Sequence, residues 1–146
     1  MTLVHASCVA IDGDGVLLRG PSGSGKSDLA LRLIEAGGQL VADDQVELTA
    51  APGAPWPIAR APQALADRIE VRGIGIISLA GIAEAPVTLV DDLVAPRAVE
   101  RLPHPRSCVL EGHTVSLVAI APFEASAPAK VRLAARRSRH DSNSAP

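Results

Sequence analysis

The sequence predicts an α/β domain, a P-loop-containing mixed sheet with flanking helices. Three observations carry that reading. The stretch GPSGSGKS, residues 20–27, fits the phosphate-loop pattern G-x-x-x-x-G-K-[ST] at every position. A strand-like hairpin leads into it and a run with helical spacing leads out. A short apolar run ending in two carboxylates, QLVADD, follows almost at once.

Taken in order, residues 3–11 (LVHASCVAI) read as a strand, and DGDG at 12–15 is a turn signal. VLLRG resumes as a strand, so a hairpin feeds the loop. Residues 27–36 (SDLALRLIEA) place Leu29, Leu33 and Ile34 on one side of a helix and Arg32 and Glu35 on the other. Gly37 and Gly38 stop it. QLVADD is a short strand ending in Asp43 and Asp44. Residues 50–63 are rich in proline and alanine and read as loop. RIEVRGIGIISLAG is strand-like but interrupted by glycines, and 87–94 (VTLVDDLV) and 114–121 (TVSLVAIA) read as further strands. APAKVRLAARR reads as a closing helix. The expected organisation is one catalytic domain over 1–135 and a polar, disordered tail over 136–146.

Composition narrows the function. At 146 residues and 47% apolar content, the chain suits one globular domain with a real core. Trp56 and Phe123 are the only aromatics, so the core must be aliphatic. So few aromatics argue against single-strand nucleic-acid binding, which uses stacking platforms. A net charge of −2 offers no basic footprint for DNA or RNA. Cys8 and Cys108 form no metal spacing and read as free thiols in a reducing compartment. The first residues lack the features of a signal peptide, and no apolar run is long enough for a bilayer. The expected location is cytoplasmic, with no membrane partner.

The loop Gly20, Pro21, Ser22, Gly23, Ser24, Gly25, Lys26, Ser27 predicts binding of ATP and Mg²⁺. Its glycines let successive N–H groups point at phosphate oxygens, and it ends where a helix N-terminus favours anions. Lys26 would reach the β- and γ-phosphates, and Ser27 would place its hydroxyl on Mg²⁺. A strand ending in Asp43-Asp44 serves Mg²⁺ or activates a nucleophile. It comes unusually early after the loop, and the hairpin ahead of the loop is unusual too. Both argue against an ordinary nucleotide-kinase layout. A second pair, Asp91-Asp92, has no phosphate loop before it. Alternation puts its side chains on opposite faces, and it reads as surface.

Three pieces together, VHASCVAIDGDGVLLRGPSGSGKSDLALRLIEAGGQLVADDQVEL, RIEVRGIGIIS and ERLP, resemble the catalytic half of bacterial HPr kinase/phosphorylase. The resemblance covers roughly residues 3–133 and is densest through residue 48 and at 69–78. It implies a fold similar to the nucleotide domain of phosphoenolpyruvate carboxykinase and a form without the separate N-terminal domain of most relatives. It implies an ATP-dependent kinase acting on a seryl hydroxyl of an HPr-type phosphocarrier protein, and assembly as a hexamer.

By the same resemblance, His5, fifteen positions before the loop, belongs to the active site. Asp44 is the proton acceptor, with Asp43 its neighbour. Glu70 is the second Mg²⁺ ligand beside Ser27. Arg101, in ERLP, belongs to a mobile active-site loop. The residues are consistent with these roles. A seryl hydroxyl is a poor nucleophile unless a carboxylate accepts its proton. Glu70 and Arg72 share one face of an alternating strand, and Gly73 and Gly75 permit a bend there. The sequence departs from the family at LEGH (110–113), where relatives carry a basic loop tied to dephosphorylation. Reverse phosphorolysis is therefore doubtful. A small-molecule kinase and a nucleotide-binding sensor without transfer activity stay open as alternatives.

Overall fold

The computed structural model describes residues 1–144, with side chains described through His140. The chain opens on an antiparallel hairpin of β1 (Thr2–Ile11) and β2 (Asp14–Arg19). Asp12 and Gly13 both have positive φ, at 52° and 85°. That is the backbone of a tight hairpin turn, and Asp-Gly supplies it at little cost. The phosphate-loop sequence follows, then α1 (Lys26–Glu35). The helix stops where Gly37 turns left-handed and the Gly38 N–H donates to the carbonyl of Leu33.

Next come β3 (Gln39–Ala42), β4 (Gln45–Thr49), β5 (Ile58–Arg60) and a separate hairpin, β6 (Arg68–Val71) and β7 (Gly75–Ser78). The chain ends with β8 (Glu84–Leu93), β9 (Arg106–Leu110), β10 (His113–Ile120) and α2 (Ala127–Ser144).

Two long strands, β1 and β8, each belong to two sheets. The first half of β1 pairs with β4, and the first residues of β8 pair with β5. With the β4–β5 pairing this makes an antiparallel sheet in the order β1-β4-β5-β8. The later halves build a mixed sheet in the order β3-β1-β2-β8-β10-β9. Within it β2, β8 and β10 are parallel. One core, including Val9, Val16, Leu18 and Leu89, packs beneath α1 and α2 through Leu29, Leu33 and Val131. A second, with Cys8, Leu17, Val46, Leu48, Val87 and Val90, lies on the other side of the mixed sheet, toward the antiparallel one. Both are aliphatic, as the scarcity of aromatics requires.

The structure departs from the sequence reading in several places. RIEVRGIGIIS is a hairpin and not one interrupted strand, because Gly73 and Gly75 take φ of 89° and 123° and reverse the chain. β5 lies inside the stretch read as loop. It is only three residues long and buries Ala59 alone, so it shows no alternation to read.

The tail expected to be disordered from Arg136 continues α2 to Ser144. Ser138 is buried there, and Arg139 pairs with Asp14 at 3.0 Å while its guanidinium stands 4.6 Å from the Trp56 ring centre. Those contacts anchor a segment whose polarity alone suggests no packing. Ala145 and Pro146, the end of that expected tail, lie outside the described residues.

Asp91, read as surface, is fully buried. Strand β8 is buried from Val87 through Asp91, and of the pair only Asp92 reaches partial exposure, where Arg19 pairs with it at 2.8 Å. Neither carboxylate oxygen of Asp91 has a hydrogen-bond partner among the described residues. Burial, and secondarily the Asp92 charge, pushes its pKa well above the ordinary 3.8. The folded chain therefore holds a proton that the unfolded chain releases. This contributes stability that is complete below the unfolded pKa and lost as pH rises through the raised folded one. Asparagine mimics the protonated acid at every pH. Asp91→Asn is expected to gain stability over the wild type at pH 8 relative to pH 5, measured by urea unfolding. Parallel pH profiles for the two proteins would contradict this account of Asp91.

Candidate active site

The site forms where β2, the β3–β4 turn and the β6–β7 hairpin meet. The loop from Gly20 to Ser27 curls around Lys26, whose ammonium donates to the carbonyls of Gly20 (2.6 Å) and Pro21 (3.0 Å). Gly25 sits at φ 100°, the left-handed region, immediately before α1 begins. The Lys26 side chain is thus folded onto its own loop.

Asp43 and Asp44 occupy the turn between β3 and β4. Their side chains serve different partners, because Asp44 takes a φ of 68°, which Asp tolerates better than most residues. Asp43 is buried and collects three donors. Ser27 Oγ donates at 2.7 Å, Ser7 Oγ at 2.9 Å and the Glu70 backbone N–H at 3.0 Å. It joins the phosphate loop, β1 and β6 into one unit. Asp44 faces the open side, where His5 Nε2 lies 3.2 Å from its Oδ1. Both side chains are more than half exposed, so the pair is available to a substrate.

These residues border a cleft of about 720 Å³. His5, Lys26, Ser27, Asp44, Glu70 and Arg72 all line it, as do Ser22, Gly23 and Gly25 of the loop. Gly20 and Pro21 act through the carbonyls that hold Lys26, and Asp43 acts from behind Ser27. Ser24 keeps its hydroxyl buried and unpartnered among the described residues. The sequence-predicted set is therefore brought together, with one exception. Arg101 is exposed in the segment between β8 and β9 and does not line the cleft.

The LEGH turn is likewise elsewhere. Glu111 is hydrogen-bonded by the Thr2 hydroxyl, and His113 Nε2 lies 2.9 Å from the Ala54 carbonyl oxygen. Within one chain Glu111 adds no charge to the cleft, contrary to what its alignment with the family's basic loop suggests.

Among the residues that sequence reasoning missed are Ser7, which supports the site, and Phe123, which lines it beside Asp28 and Leu31. Ser7 had a signal: with His5 it forms a polar pair two residues apart in an otherwise apolar strand, so both face the same side. Phe123, which lines the cleft from the loop after β10, had no local signal beyond being the only phenylalanine.

The donor set suits a divalent cation of the magnesium type. Mg²⁺ uses one or two protein oxygens and takes its other ligands from water and phosphate. Ser27 Oγ donates its proton to Asp43 and so turns its lone pairs outward. Glu70 supplies a carboxylate on the same cleft wall.

The model of the HPr serine kinase C-terminal domain family matches residues 1–84, more than half of the chain. The HPr kinase/phosphorylase of an Exiguobacterium species is 46% identical over 79 residues, which is 54% of this chain and 25% of that protein. The protein of the same description from Bordetella pertussis is 48% identical over 79 residues, 53% of this chain and 25% of its own length. The matched stretch thus spans about a quarter of these curated relatives. The solved structure of the Hpr(Ser) kinase/phosphatase from Coxiella burnetii superposes with a TM-score of 0.84 at 29% identity, covering 98% of this chain and 93% of that one. The phosphate loop, the paired aspartates and the hairpin carrying Glu70 all lie inside the matched 84 residues. On the sequence model and the shared fold together, the chain belongs to the family of the HPr serine kinase C-terminal domain.

Proposed function

We propose that the chain is an ATP-dependent kinase that phosphorylates a seryl hydroxyl of an HPr-type phosphocarrier protein. One observation carries the reading: a carboxylate free to accept a proton, Asp44, stands in the same cleft as the phosphate-loop lysine and is held by His5. A sensor without transfer activity has no need of that carboxylate. Among the described residues the cleft is open and carries no arginine-rich lid, which suits a protein substrate better than a small metabolite.

In the proposed step the seryl oxygen bonds to the γ-phosphorus of ATP while the bond from that phosphorus to the β–γ bridging oxygen breaks. ADP leaves, and the seryl proton passes to Asp44. His5 keeps the Asp44 carboxylate aimed at the hydroxyl. Lys26 and Arg72 offset the charge on the phosphoryl oxygens. Ser27 and Glu70 would hold Mg²⁺, which would supply positive charge against the phosphate oxygens. Asp43 does not touch substrate in this scheme and positions Ser27 and the Glu70 backbone.

Arg101 joins the cleft in this scheme only if its segment moves inward or a neighbouring copy presents it. A cytoplasmic hexamer, the family expectation, is part of the same proposal. Among the described residues no helix is long and apolar enough to cross a membrane.

The forward direction is favoured. Phosphorolysis places inorganic phosphate beside phosphoserine, and the cleft offers Lys26 and Arg72 as its cations. No cation is supplied from the 110–113 turn, which holds Glu111 and lies away from the cleft. With pre-phosphorylated carrier, millimolar phosphate and no ATP, pyrophosphate release is expected to be much slower than forward transfer. Comparable rates would contradict this directional reading.

The test of the activity itself incubates the chain with labelled ATP and Mg²⁺, together with HPr-type protein, with small metabolites, or with neither. Label on the carrier is expected. Label on a metabolite, or hydrolysis alone, would overturn the proposal.

A further inference from the structure

The parallel strands of the mixed sheet share one carboxyl edge. β2 ends there in the phosphate loop, and β10, parallel to β8 and through it to β2, ends there in the Pro122–Glu124 loop. In open α/β sheets ligands gather along that edge. Phe123 stands on this second loop and presses on the first. A Cβ added at Gly25 would come within 2.9 Å of its ring Cζ, so the ring edge packs directly on the phosphate-loop backbone. The side chain is nevertheless 70% exposed and lines the cleft. Its loop is fixed from α1, where the Arg32 guanidinium donates to the carbonyls of Pro122 and Glu124.

A large apolar side chain exposed beside a phosphate-binding loop is otherwise unfavourable. The chain has no tyrosine, and its one tryptophan stacks under Arg139 far along α2. Phe123 is thus the aromatic surface available to a ligand, and its π face suits a flat heteroaromatic ring. The polar lining residues act on phosphate, metal or the seryl proton, and the other large apolar ones, Leu31, Val71, Ile74 and Ile76, are aliphatic and offer no π face.

We propose that Phe123 is the stacking platform for the nucleobase of the nucleotide whose phosphates occupy the Gly20–Ser27 loop. The proposal rests on the nucleotide reading of the cleft and adds to it where the base lies. Stacking tolerates any base, because every base has a π face. Mg-GTP therefore binds with an affinity similar to Mg-ATP.

The test compares Mg-ATP with Mg-bound inorganic triphosphate by isothermal titration against the wild-type chain, Phe123→Ala and Phe123→Trp. Alanine replacement at a base-stacking aromatic weakens binding by roughly 5- to 100-fold. That loss is expected for Mg-ATP in Phe123→Ala, with less than about a twofold change for inorganic triphosphate, and Phe123→Trp is expected to retain Mg-ATP affinity. Equal losses for both ligands would reduce Phe123 to a support of the loop and overturn the proposal. So would an unchanged Mg-ATP affinity in Phe123→Ala. If the wild type binds triphosphate as tightly as ATP, the phosphate site stands and the base platform falls. If it binds neither, the nucleotide reading itself fails.

Discussion

Lys26→Ala is expected to bring transfer to HPr-type carrier down by at least about 10²–10³-fold and to weaken Mg-ATP binding in parallel. The lysine is 6% exposed and donates to two carbonyls of its own loop, so its amine is already aimed into the space the loop encloses. Among the described residues no second cation is so placed to offset charge on a transferred phosphoryl group. Arg72 lies across the cleft on the turn after β6 and Arg101 lies outside it. The fold should survive, because Gly20 is partly exposed and Pro21 exposed, so water can reach the carbonyls freed by the change. Circular dichroism and the urea midpoint verify this, and single-turnover transfer gives the rate. Near-normal transfer by a folded Lys26→Ala protein would remove the phosphate-loop assignment.

Asp44→Asn is expected to cut the rate of transfer by about 10²–10⁴-fold, the usual loss when a general base is removed. Nucleotide affinity should change little, since the loop, Ser27 and Asp43 are untouched. The effect separates the two aspartates. Asp43 accepts three hydrogen bonds that join Ser27, Ser7 and the Glu70 backbone, so Asp43→Asn should disturb nucleotide binding as well as rate. Asp91→Asn is the control. Its carboxylate is buried outside the cleft, and transfer should be unchanged while the pH dependence of stability flattens. A larger loss of rate from Asp91→Asn than from Asp44→Asn would reverse the choice between the two aspartate pairs.

The parts legible in the sequence were those whose chemistry is local. The phosphate loop needs glycines, a lysine and a serine at fixed spacing, and the Asp-Gly turn, α1 and the Gly37-Gly38 stop follow from adjacent residues. The gathering of His5, Asp44, Glu70 and Arg72 around Lys26 came through resemblance to a known family. Spacing alone could not bring β1, the β3–β4 turn and the β6–β7 hairpin to one cleft.

The failures have a common cause in tertiary contact. Strand β9 runs Cys108, Val109 and Leu110 without a polar residue between them, so its sequence shows no alternation although only Cys108 and Leu110 pack on the core. The end of α2 reads as polar tail until Asp14 and Trp56, more than eighty residues away, are placed beside Arg139. Asp91 reads as surface because a charged residue in a strand usually is. The sheet in fact continues past it on both sides, through β2 and β10, and helices cover its face. Phe123 needed the parallel order of β2, β8 and β10 before its place beside Gly25 had meaning.

The most direct measurement is the intact mass, and then the modified residue, of an HPr-type carrier after incubation with this chain, ATP and Mg²⁺. The account predicts a single added phosphoryl group on a seryl residue, absent when Lys26→Ala or Asp44→Asn replaces the wild type. An unmodified carrier, or phosphate on histidine alone, would contradict it.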